Sequence, residues 1–300
     1  PRPGSKPLAF KRTYERSLCQ QLPVVIKRQM QAAWRNVGLN FTRLLLLPFL
    51  GLMFGLLFFD MDTSDVAGVN SMNGFLFVGP TFCAVLFMLT SVPFIARERA
   101  VFYRERASNT YSSFAYSTAL LVAEIPFCIV YTIIHASITY WMVGPKDDLG
   151  VFLHYTLVAV ILSINFSSIG QLLVAVVPHK DIAQMLTGTV ISLCTLLGGF
   201  FLPLPSMAAG VKWLFWINPS SYSYHVAAAI VFHCEGADCP TVQTVSSQGV
   251  AVQTVSDFME HQIGYVYDDR WLMTIGAGSI VLGSHCLMAL SLRFLRHLKR

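Results

Sequence analysis

Few residue patterns in this sequence could carry out chemistry by themselves. The 300 residues contain no glycine-rich phosphate loop of the form G-x-x-x-x-G-K-[ST], no H-E-x-x-H motif and no paired C-x-x-C motif. Such motifs supply the backbone amides, histidines or thiolates that hold nucleotide phosphates and metal ions. The sequence therefore predicts no catalytic residue, metal site or cofactor site of its own, and we expect that this chain cannot hydrolyse ATP alone.

Glu124 is the first candidate for chemistry, because it is the one acidic residue inside a predicted membrane span. It lies two residues before Pro126, near one end of that span. A carboxylate inside a membrane is energetically expensive and marks a functional site by default. The alternatives are that Glu124 reaches the membrane interface or pairs with an arginine of the segment before the span, and we favour these. His135, in the same span, is a weaker candidate.

Cys234 and Cys239 are the second candidate, because only four residues separate them in a long polar loop. That loop, residues 205–270, is predicted to face an outer, oxidising compartment, where disulfide bonds persist. A disulfide in so short a loop must meet strict geometry. The sequence leaves two alternatives open: a local disulfide, or two thiols that are free or paired elsewhere.

The third candidate is a charged segment at residues 97–106, which reads RERAVFYRER. Its charges alternate around the aromatic pair Phe102 and Tyr103. A solvated loop would explain the charges, and anchoring at the membrane interface would explain the aromatic pair. We favour another interpretation, in which this short cytoplasmic connection docks onto another protein.

The elements that position these residues are hydrophobic spans. Hydrophobic residues make up 54% of the chain and charged residues only 12%, against about a quarter in soluble domains. Uncharged stretches alternate with short polar loops, and about 20 apolar residues suffice to cross a bilayer. We predict an all-α membrane protein with six transmembrane helices, at residues 41–59, 74–95, 117–143, 151–177, 182–204 and 271–292. Arg43, at the start of the first span, is expected to reach the membrane interface.

Two further segments precede the first span. Residues 1–16 contain prolines and a run of basic residues, which predicts a linker from an upstream domain. In residues 23–37 a set of apolar side chains recurs at helical spacing, opposite a basic face: Ile26, Met30, Ala33, Trp34 and Val37. This spacing predicts an amphipathic helix that lies at the cytoplasmic surface.

The distribution of charge predicts the orientation and the number of spans. Residues 213–232 also lack charge, but they include polar residues such as Asn218, so we interpret them as a re-entrant or interfacial segment. With six spans most of the 21 Lys and Arg residues face the cytoplasm, and only Lys146, Lys212 and Arg270 lie outside, as the positive-inside rule requires. Both termini are then cytoplasmic. The net charge of +5 reflects this topology, and no nucleic-acid partner is expected.

Six short motifs are distributed along the chain, from before the first span to the C-terminal tail. They are WRN at 34–36, ERAVFYRER at 98–106, YS at 111–112, AEIP at 123–126, NP at 218–219 and LRF at 292–294. Together they resemble the pleiotropic drug resistance branch of the ABC transporters, the ABCG class. The resemblance covers nearly the whole chain.

The resemblance implies an architecture and a set of partners. Residues 17–300 would form an ABC-2 type transmembrane domain, preceded in the complete protein by a nucleotide-binding domain that binds ATP and Mg. A connecting helix would span about residues 17–36, and a re-entrant pair would lie within the loop 205–270. A coupling helix would follow the second span and include these residues: Arg99, Phe102, Tyr103, Arg104, Glu105 and Arg106. Two such membrane domains would face each other in the lipid of the plasma membrane, within one full-size transporter or as a dimer.

The resemblance also implies a substrate pathway between the two membrane domains. Spans two and five would line a cavity with the following residues: Phe82, Cys83, Leu86, Ser192 and Thr195. Phe200 and Phe201, after a Gly-Gly pair, would form a hydrophobic plug toward the outer side. Ordinary helix packing or lipid contact is the alternative for each residue. An apolar lining suits hydrophobic or amphipathic cargo but does not identify it.

The sequence therefore predicts the permease domain of an ATP-driven exporter of hydrophobic or amphipathic compounds, such as drugs, xenobiotics, lipids or sterols. Two other classes are kept as alternatives. A secondary transporter or channel usually has several ionisable residues in its spans or an inverted repeat, whereas this sequence has one carboxylate there and no clear repeat. A membrane adaptor would use the outer loop as a contact surface.

Overall fold

The computed structural model describes residues 14, 16–61, 63, 65–234, 239–246 and 249–295. Over these residues the chain folds into ten α-helices and one β-hairpin. The helices are α1 (Leu18–Arg35), α2 (Val37–Leu57), α3 (Val66–Ala107), α4 (Ser113–Val143), α5 (Leu149–Val176), α6 (Lys180–Leu196), α7 (Lys212–Ile217), α8 (Pro219–Phe232), α9 (Val255–Ile263) and α10 (Arg270–Phe294). Strands β1 (Thr241–Ser246) and β2 (Gly249–Thr254) pair antiparallel between α8 and α9.

Five helices in the described part of the chain are long and apolar enough to cross a membrane: α2, α3, α4, α5 and α10. They overlap five of the six predicted spans, so the chain is an integral multi-pass membrane protein. The remaining prediction, 182–204, overlaps α6, which has only 17 residues and ends at Leu196. At 1.5 Å per residue α6 is roughly 26 Å long, slightly less than the roughly 30 Å of a hydrocarbon core. The sixth span remains a prediction.

A glycine pair follows the C-terminal end of α6. Gly199 has a φ of +93°, a left-handed conformation that glycine adopts at little cost. A Cβ atom at this position would lie 3.0 Å from the Phe215 ring, so the close approach of α7 also requires a glycine. The chain turns here, where the sequence predicted that the helix continues to residue 204.

The helix α3 differs from the prediction of a span followed by a loop. It runs without interruption for 42 residues, about 63 Å, whereas the sequence placed a connection after residue 95. Residues 96–107 are rich in Ala, Arg and Glu and contain no Gly or Pro, and these residue types favour helix. The charged segment is therefore the last three turns of α3.

The helix α8 lies in the centre of the core. All of its residues except Tyr222 are buried, and they pack on α3, α5 and α10. Asn218 caps the helix, because its Oδ1 accepts from the amide of Ser220 at 3.0 Å. Its Nδ2 donates to the carbonyl of Cys194 at 2.7 Å. Asn218 thus links the start of α8 to the end of α6.

The buried face of α1 differs from the predicted apolar face. The buried residues are Gln21, Val25, Gln29 and Ala33, which repeat every four residues and pack on α4. Trp34, from the predicted set, is 74% exposed. The reason is that hydrophobic periodicity identifies apolar side chains without distinguishing those that face protein from those that face lipid.

The segment at 205–270 contains structure that the sequence analysis did not predict. The hairpin β1–β2 and the helix α9 bury Val242, Val255, Met259 and Ile263 in the main hydrophobic core. The strands read TVQTVS and GVAVQT, and seven of their twelve residues are Val or Thr, β-branched types that favour strands. This signal was present in the sequence and was overlooked.

Candidate functional site

A buried ion pair connects α2 to α4. Arg43 Nη2 lies 2.6 Å from Glu124 Oε1, and the two side chains are 0% and 7% exposed. Glu124 was expected to reach the interface or to pair with an arginine of segment 97–106, and both expectations were wrong. Its partner is Arg43, which was itself expected at the membrane interface and lies inside the helix bundle instead.

Hydroxyl groups of α3 and α5 extend this network. Arg43 also donates to Thr90 Oγ1 at 2.9 Å and to Ser91 Oγ at 3.0 Å. Ser91 and Ser167 donate to Glu124 Oε1 at 3.0 and 3.1 Å. Burying two charges is costly unless hydrogen bonds satisfy the remaining donors and acceptors. The network therefore joins four helices, α2 to α5, through polar contacts inside an apolar bundle.

Two neighbouring cavity candidates on α3 face different ways. Phe82 is 45% exposed, and its ring meets Phe54 edge-on at a centroid distance of 5.3 Å. Cys83 is fully buried, with its sulfur 3.7 and 3.9 Å from the hydroxyls of Thr132 and Ser163. Adjacent residues on a helix point about 100° apart. Within this chain, Cys83 is enclosed by α4 and α5, whereas Phe82 faces outward.

The other cavity candidates lie on α3 and on the outward face of α6. Leu86 and Thr195 are half-buried and Ser192 is exposed. The hydroxyls of Ser192 and Thr195 donate to carbonyls one turn earlier, at 3.0 and 2.8 Å. Only Ala183 and Thr187 of α6 are buried. This helix therefore leaves most of its surface uncovered by the described part of the chain.

The two candidate plug residues belong to an aromatic cluster beyond the end of α6. Phe200 stacks on Phe77 of α3 at a centroid distance of 5.1 Å. Phe201 meets both rings edge-on, at 5.1 and 6.1 Å, and Tyr224 of α8 meets Phe77 at 5.5 Å. Phe77 and Tyr224 were not predicted, because no local spacing in the sequence links α3 and α8 to the plug.

Phe102 and Tyr103 are buried inside the chain, although the docking interpretation placed them on a surface. They are 0% and 7% exposed. The Phe102 ring stacks on Tyr116 of α4 at a centroid distance of 4.3 Å and meets Tyr111 at 6.1 Å. The aromatic pair therefore anchors the end of α3 to the start of α4.

Three charged residues of the same segment connect α3 to its neighbours. Glu105 accepts hydrogen bonds from Arg28 of α1 and from the Tyr111 hydroxyl. Burial raises the pKa of Tyr111, and the hydrogen bond to Glu105 raises it further. Arg99 donates to carbonyls at the end of α5, and Arg106 donates to carbonyls at the end of α10. Cations at helix C-termini are stabilised by the helix dipole.

The exposed side of this segment is a stripe of Arg97, Val101 and Arg104, with the small exposed Ala100 among them. Arg97, Val101 and Arg104 are all exposed, and their spacing of four and three residues places them on one face of α3. No aromatic residue belongs to this stripe. It is the part of the charged segment that is open to another protein.

Cys234 and Cys239 are joined by a disulfide between the end of α8 and the start of β1, with their Cα atoms 5.6 Å apart. This is the first of the two alternatives that the sequence left open. Within the described residues, no group of three or more His, Cys, Asp or Glu side chains could hold a metal ion. The disulfide closes the connection between α8 and β1.

Comparison with known proteins identifies related sequences. The family model described as ABC-2 type transporter matches residues 20–232. Pleiotropic drug resistance protein 1 of Nicotiana tabacum is 31% identical over 273 residues, which are 89% of this chain and 18% of that protein. ABC transporter G family member 42 of Oryza sativa subsp. japonica is 29% identical over 287 residues, 94% of this chain and 18% of that protein. The chain therefore spans less than a fifth of the length of these curated relatives.

The family match begins within α1 and ends at the last residue of α8. It includes the Arg43–Glu124 pair, the whole of α3 and the aromatic cluster. The names of the relatives confirm the resemblance that the short motifs indicated. This chain therefore belongs to the ABC-2 type transporter family.

Proposed function

We propose that this chain is the permease domain of an ATP-driven exporter of hydrophobic or amphipathic compounds. The observation that carries the proposal is the length of α3, a single helix of 42 residues. It carries the outward-facing Phe82 and the half-buried Leu86 in its apolar part and ends in the exposed stripe Arg97, Val101 and Arg104. One helix therefore connects a candidate substrate surface to a candidate docking surface. ATP binding can drive a change between two conformations of the cargo site only through an element whose equilibrium is shifted by both the nucleotide-binding domain and the cargo.

The nucleotide-binding domain of the same polypeptide would dock on the exposed stripe at the end of α3. Arg97 and Arg104 offer two positive charges beside the apolar Val101, which suits a partner surface with a carboxylate next to an apolar groove. This domain would bind ATP and Mg and hydrolyse the nucleotide. The proposed docking surface replaces Phe102 and Tyr103, whose side chains are buried.

Force applied at this stripe would reach several helices together. Glu105 forms an ion pair with Arg28 of α1. Arg99 donates hydrogen bonds to carbonyls at the end of α5, and Arg106 donates to carbonyls at the end of α10. The end of the bundle would therefore move as one body. Pro93 lies in α3 between the stripe and Leu86, and a proline removes one backbone hydrogen bond and permits bending.

A second ABC-2 membrane domain would cover the outward faces of α3 and α6. Phe82, Leu86, Ser192 and Thr195 would then line a cavity between the two domains, with apolar surface for cargo and hydroxyls for orientation. Cys83 would support this wall from behind. The exposure of most of α6 supports a partner on this side. The second domain belongs to the same polypeptide in a full-size transporter or to a second copy in a dimer.

Phe200 and Phe201 would close the cavity toward the outer side. The stack of Phe200 on Phe77 ties the plug to α3, so a movement of α3 would open or close it. Phe201 is 61% exposed and would meet its counterpart on the second membrane domain. Outward release would follow from separation of these rings.

The proposed topology has six spans, with α6 and the residues up to 204 as the fifth. The helices α7 and α8 would form the re-entrant segment, because α8 is apolar, buried and only 14 residues long. Both termini would face the cytoplasm and the hairpin would face the outside, in the plasma membrane. The charge distribution supports this orientation through the positive-inside rule.

The test is ATP-dependent uptake of a hydrophobic dye into inside-out vesicles that carry the complete protein. We compare Arg104→Glu, on the docking stripe, with Lys212→Glu, an exposed residue of the opposite end of the bundle. Both variants change the net charge equally. Arg104→Glu should reduce uptake several-fold because it repels the docked domain, whereas Lys212→Glu should retain uptake.

Each other outcome points to a different conclusion. Equal uptake by both variants would contradict the docking stripe. Dye uptake at the same rate with and without ATP would favour a secondary transporter or channel. Binding of partner proteins without transport of any cargo would favour a membrane adaptor.

A further inference from the structure

A cavity of about 780 Å³ lies at the end of the bundle where α3 and α10 finish and α1 and α4 begin. Its described lining combines three arginines with three large apolar residues: Arg16, Arg106, Arg293, Leu18, Phe114 and Leu290. None of the described lining residues is acidic. The proposed export mechanism does not use this cavity.

The arginines make the cavity strongly positive. Arg106 is held in place by the carbonyls at the end of α10, so its guanidinium is already ordered. Arg16 and Arg293 are exposed at the rim. Glu105, an acid of the same helix end, is neutralised by its ion pair with Arg28. Guanidinium groups match the geometry of phosphate oxygens and bind them in a bidentate manner.

The start of α4 adds to this positive potential. Ser113 and Phe114 are the first two residues of α4 and line the cavity. The first amides of a helix have no intrahelical acceptor, and the helix dipole favours an anion there. A phosphate between the arginines and this helix start would meet charge from both sides.

The apolar part of the cavity indicates what else the ligand contains. Leu18, Phe114 and Leu290 are 45%, 49% and 49% exposed, although they lie next to charged groups. Phe114 and Leu290 belong to α4 and α10, which are long and apolar enough to cross a membrane. A soluble anion would leave these side chains uncovered, whereas an acyl chain would cover them.

We propose that this cavity binds an anionic phospholipid of the cytoplasmic leaflet. The phosphate lies among the three arginines and an acyl chain runs along Phe114 and Leu290. The inference rests on the proposed orientation, in which this end of the bundle faces the cytoplasm, where anionic lipids are concentrated. Basic pockets between membrane helices bind such head groups. The lipid fastens the end of α10 to α1, α3 and α4.

The experiment uses the complete protein in nanodiscs of phosphatidylcholine with and without phosphatidylserine. Native mass spectrometry counts the retained phosphatidylserine, and melting curves record stabilisation by that lipid. Arg16→Gln/Arg293→Gln removes two charges from the cavity, and Lys27→Gln/Arg35→Gln removes two exposed charges of α1 outside it. Each cavity arginine contributes about fivefold to affinity, so retention by the first variant should fall about 25-fold. The second variant should retain the lipid like the unchanged protein.

Three results would overturn the proposal. The first is equal retention of phosphatidylserine by both double variants. The second is equal retention of phosphatidylserine and phosphatidylcholine by the unchanged protein. The third is displacement of the lipid by inorganic phosphate, which would show that the site binds a free anion. Melting curves in phosphatidylcholine alone check that each variant is folded. If the double variant melts at a lower temperature than the unchanged protein, the single variant Arg16→Gln, whose residue precedes α1, replaces it in the comparison. The assay needs neither ATP nor transport. Selective retention of phosphatidylserine without dye uptake would therefore contradict the proposed export function and leave the proposed lipid site standing.

Discussion

Replacing Glu124 by leucine should destabilise this membrane domain more than replacing its ion-pair partner Arg43 by methionine. After Glu124→Leu the guanidinium of Arg43, which is 0% exposed, stays charged, because arginine does not lose its proton in a protein. It keeps its hydrogen bonds to Thr90 and Ser91 and its position 4.7 Å from the centre of the Phe87 ring. It has lost its counter-charge. After Arg43→Met the carboxyl group of Glu124 can bind a proton and become neutral.

The expected magnitudes follow from this asymmetry. Removing one member of a buried pair costs about 3–5 kcal/mol, and we expect Glu124→Leu near the upper limit and Arg43→Met near or below the lower limit. The double variant removes both charges and leaves apolar side chains, which is often neutral or stabilising. At about 2–3 °C per kcal/mol, Glu124→Leu should melt about 10–15 °C below the unchanged protein.

The assay is fluorescence-detected melting of the complete protein in lipid nanodiscs. Arg35→Met, which removes an exposed arginine of α1, is the control and should melt like the unchanged protein. The reasoning fails if Arg43→Met is the less stable single variant. It also fails if the double variant loses the sum of the two single losses, because the two side chains would then act independently.

Three further predictions concern other parts of the fold. Phe102→Ala should cost about 3–5 kcal/mol in a melting experiment because it empties a fully buried aromatic site, whereas the exposed Val101→Ala should change stability little. Cys234→Ser should cost about 2 kcal/mol, as expected for a short disulfide loop, and should make the melting temperature insensitive to a reductant. Replacing Phe200 and Phe201 together by alanine should change dye uptake or basal ATP turnover of the complete protein, and unaltered kinetics would remove the plug assignment.

The membrane spans could be predicted because length and apolarity are properties of the chain alone. Five predicted spans overlap helices of sufficient length. The end of α3 could not be predicted in the same way, because hydropathy marks where lipid contact ends and a helix can continue into water. At residues 96–107 helix propensity was the better guide, and the hydropathy boundary was given too much weight.

The partner of Glu124 illustrates a second limit. The residue type and its place in a span identified Glu124 as exceptional. Its counter-ion lies 81 residues earlier in the chain, whereas the prediction considered the arginines nearest in sequence. Pairing between α2 and α4 depends on how these helices are arranged around α3, and no local pattern encodes that arrangement.

Composition and short motifs were enough to identify the membrane environment, the family and the residues that deserved attention, because these properties can be read one segment at a time. Burial was decided by the packing of helices. Phe102 and Tyr103 were predicted to be a docking pair, but both are buried, and the Phe102 ring packs on Tyr111 and Tyr116. Cys83 faces α4 and α5, whereas Phe82 faces outward. Adjacent residues of a helix point about 100° apart, so the rotation of α3 about its axis decides which of the two faces outward. Contacts with helices that are distant in the chain set that rotation.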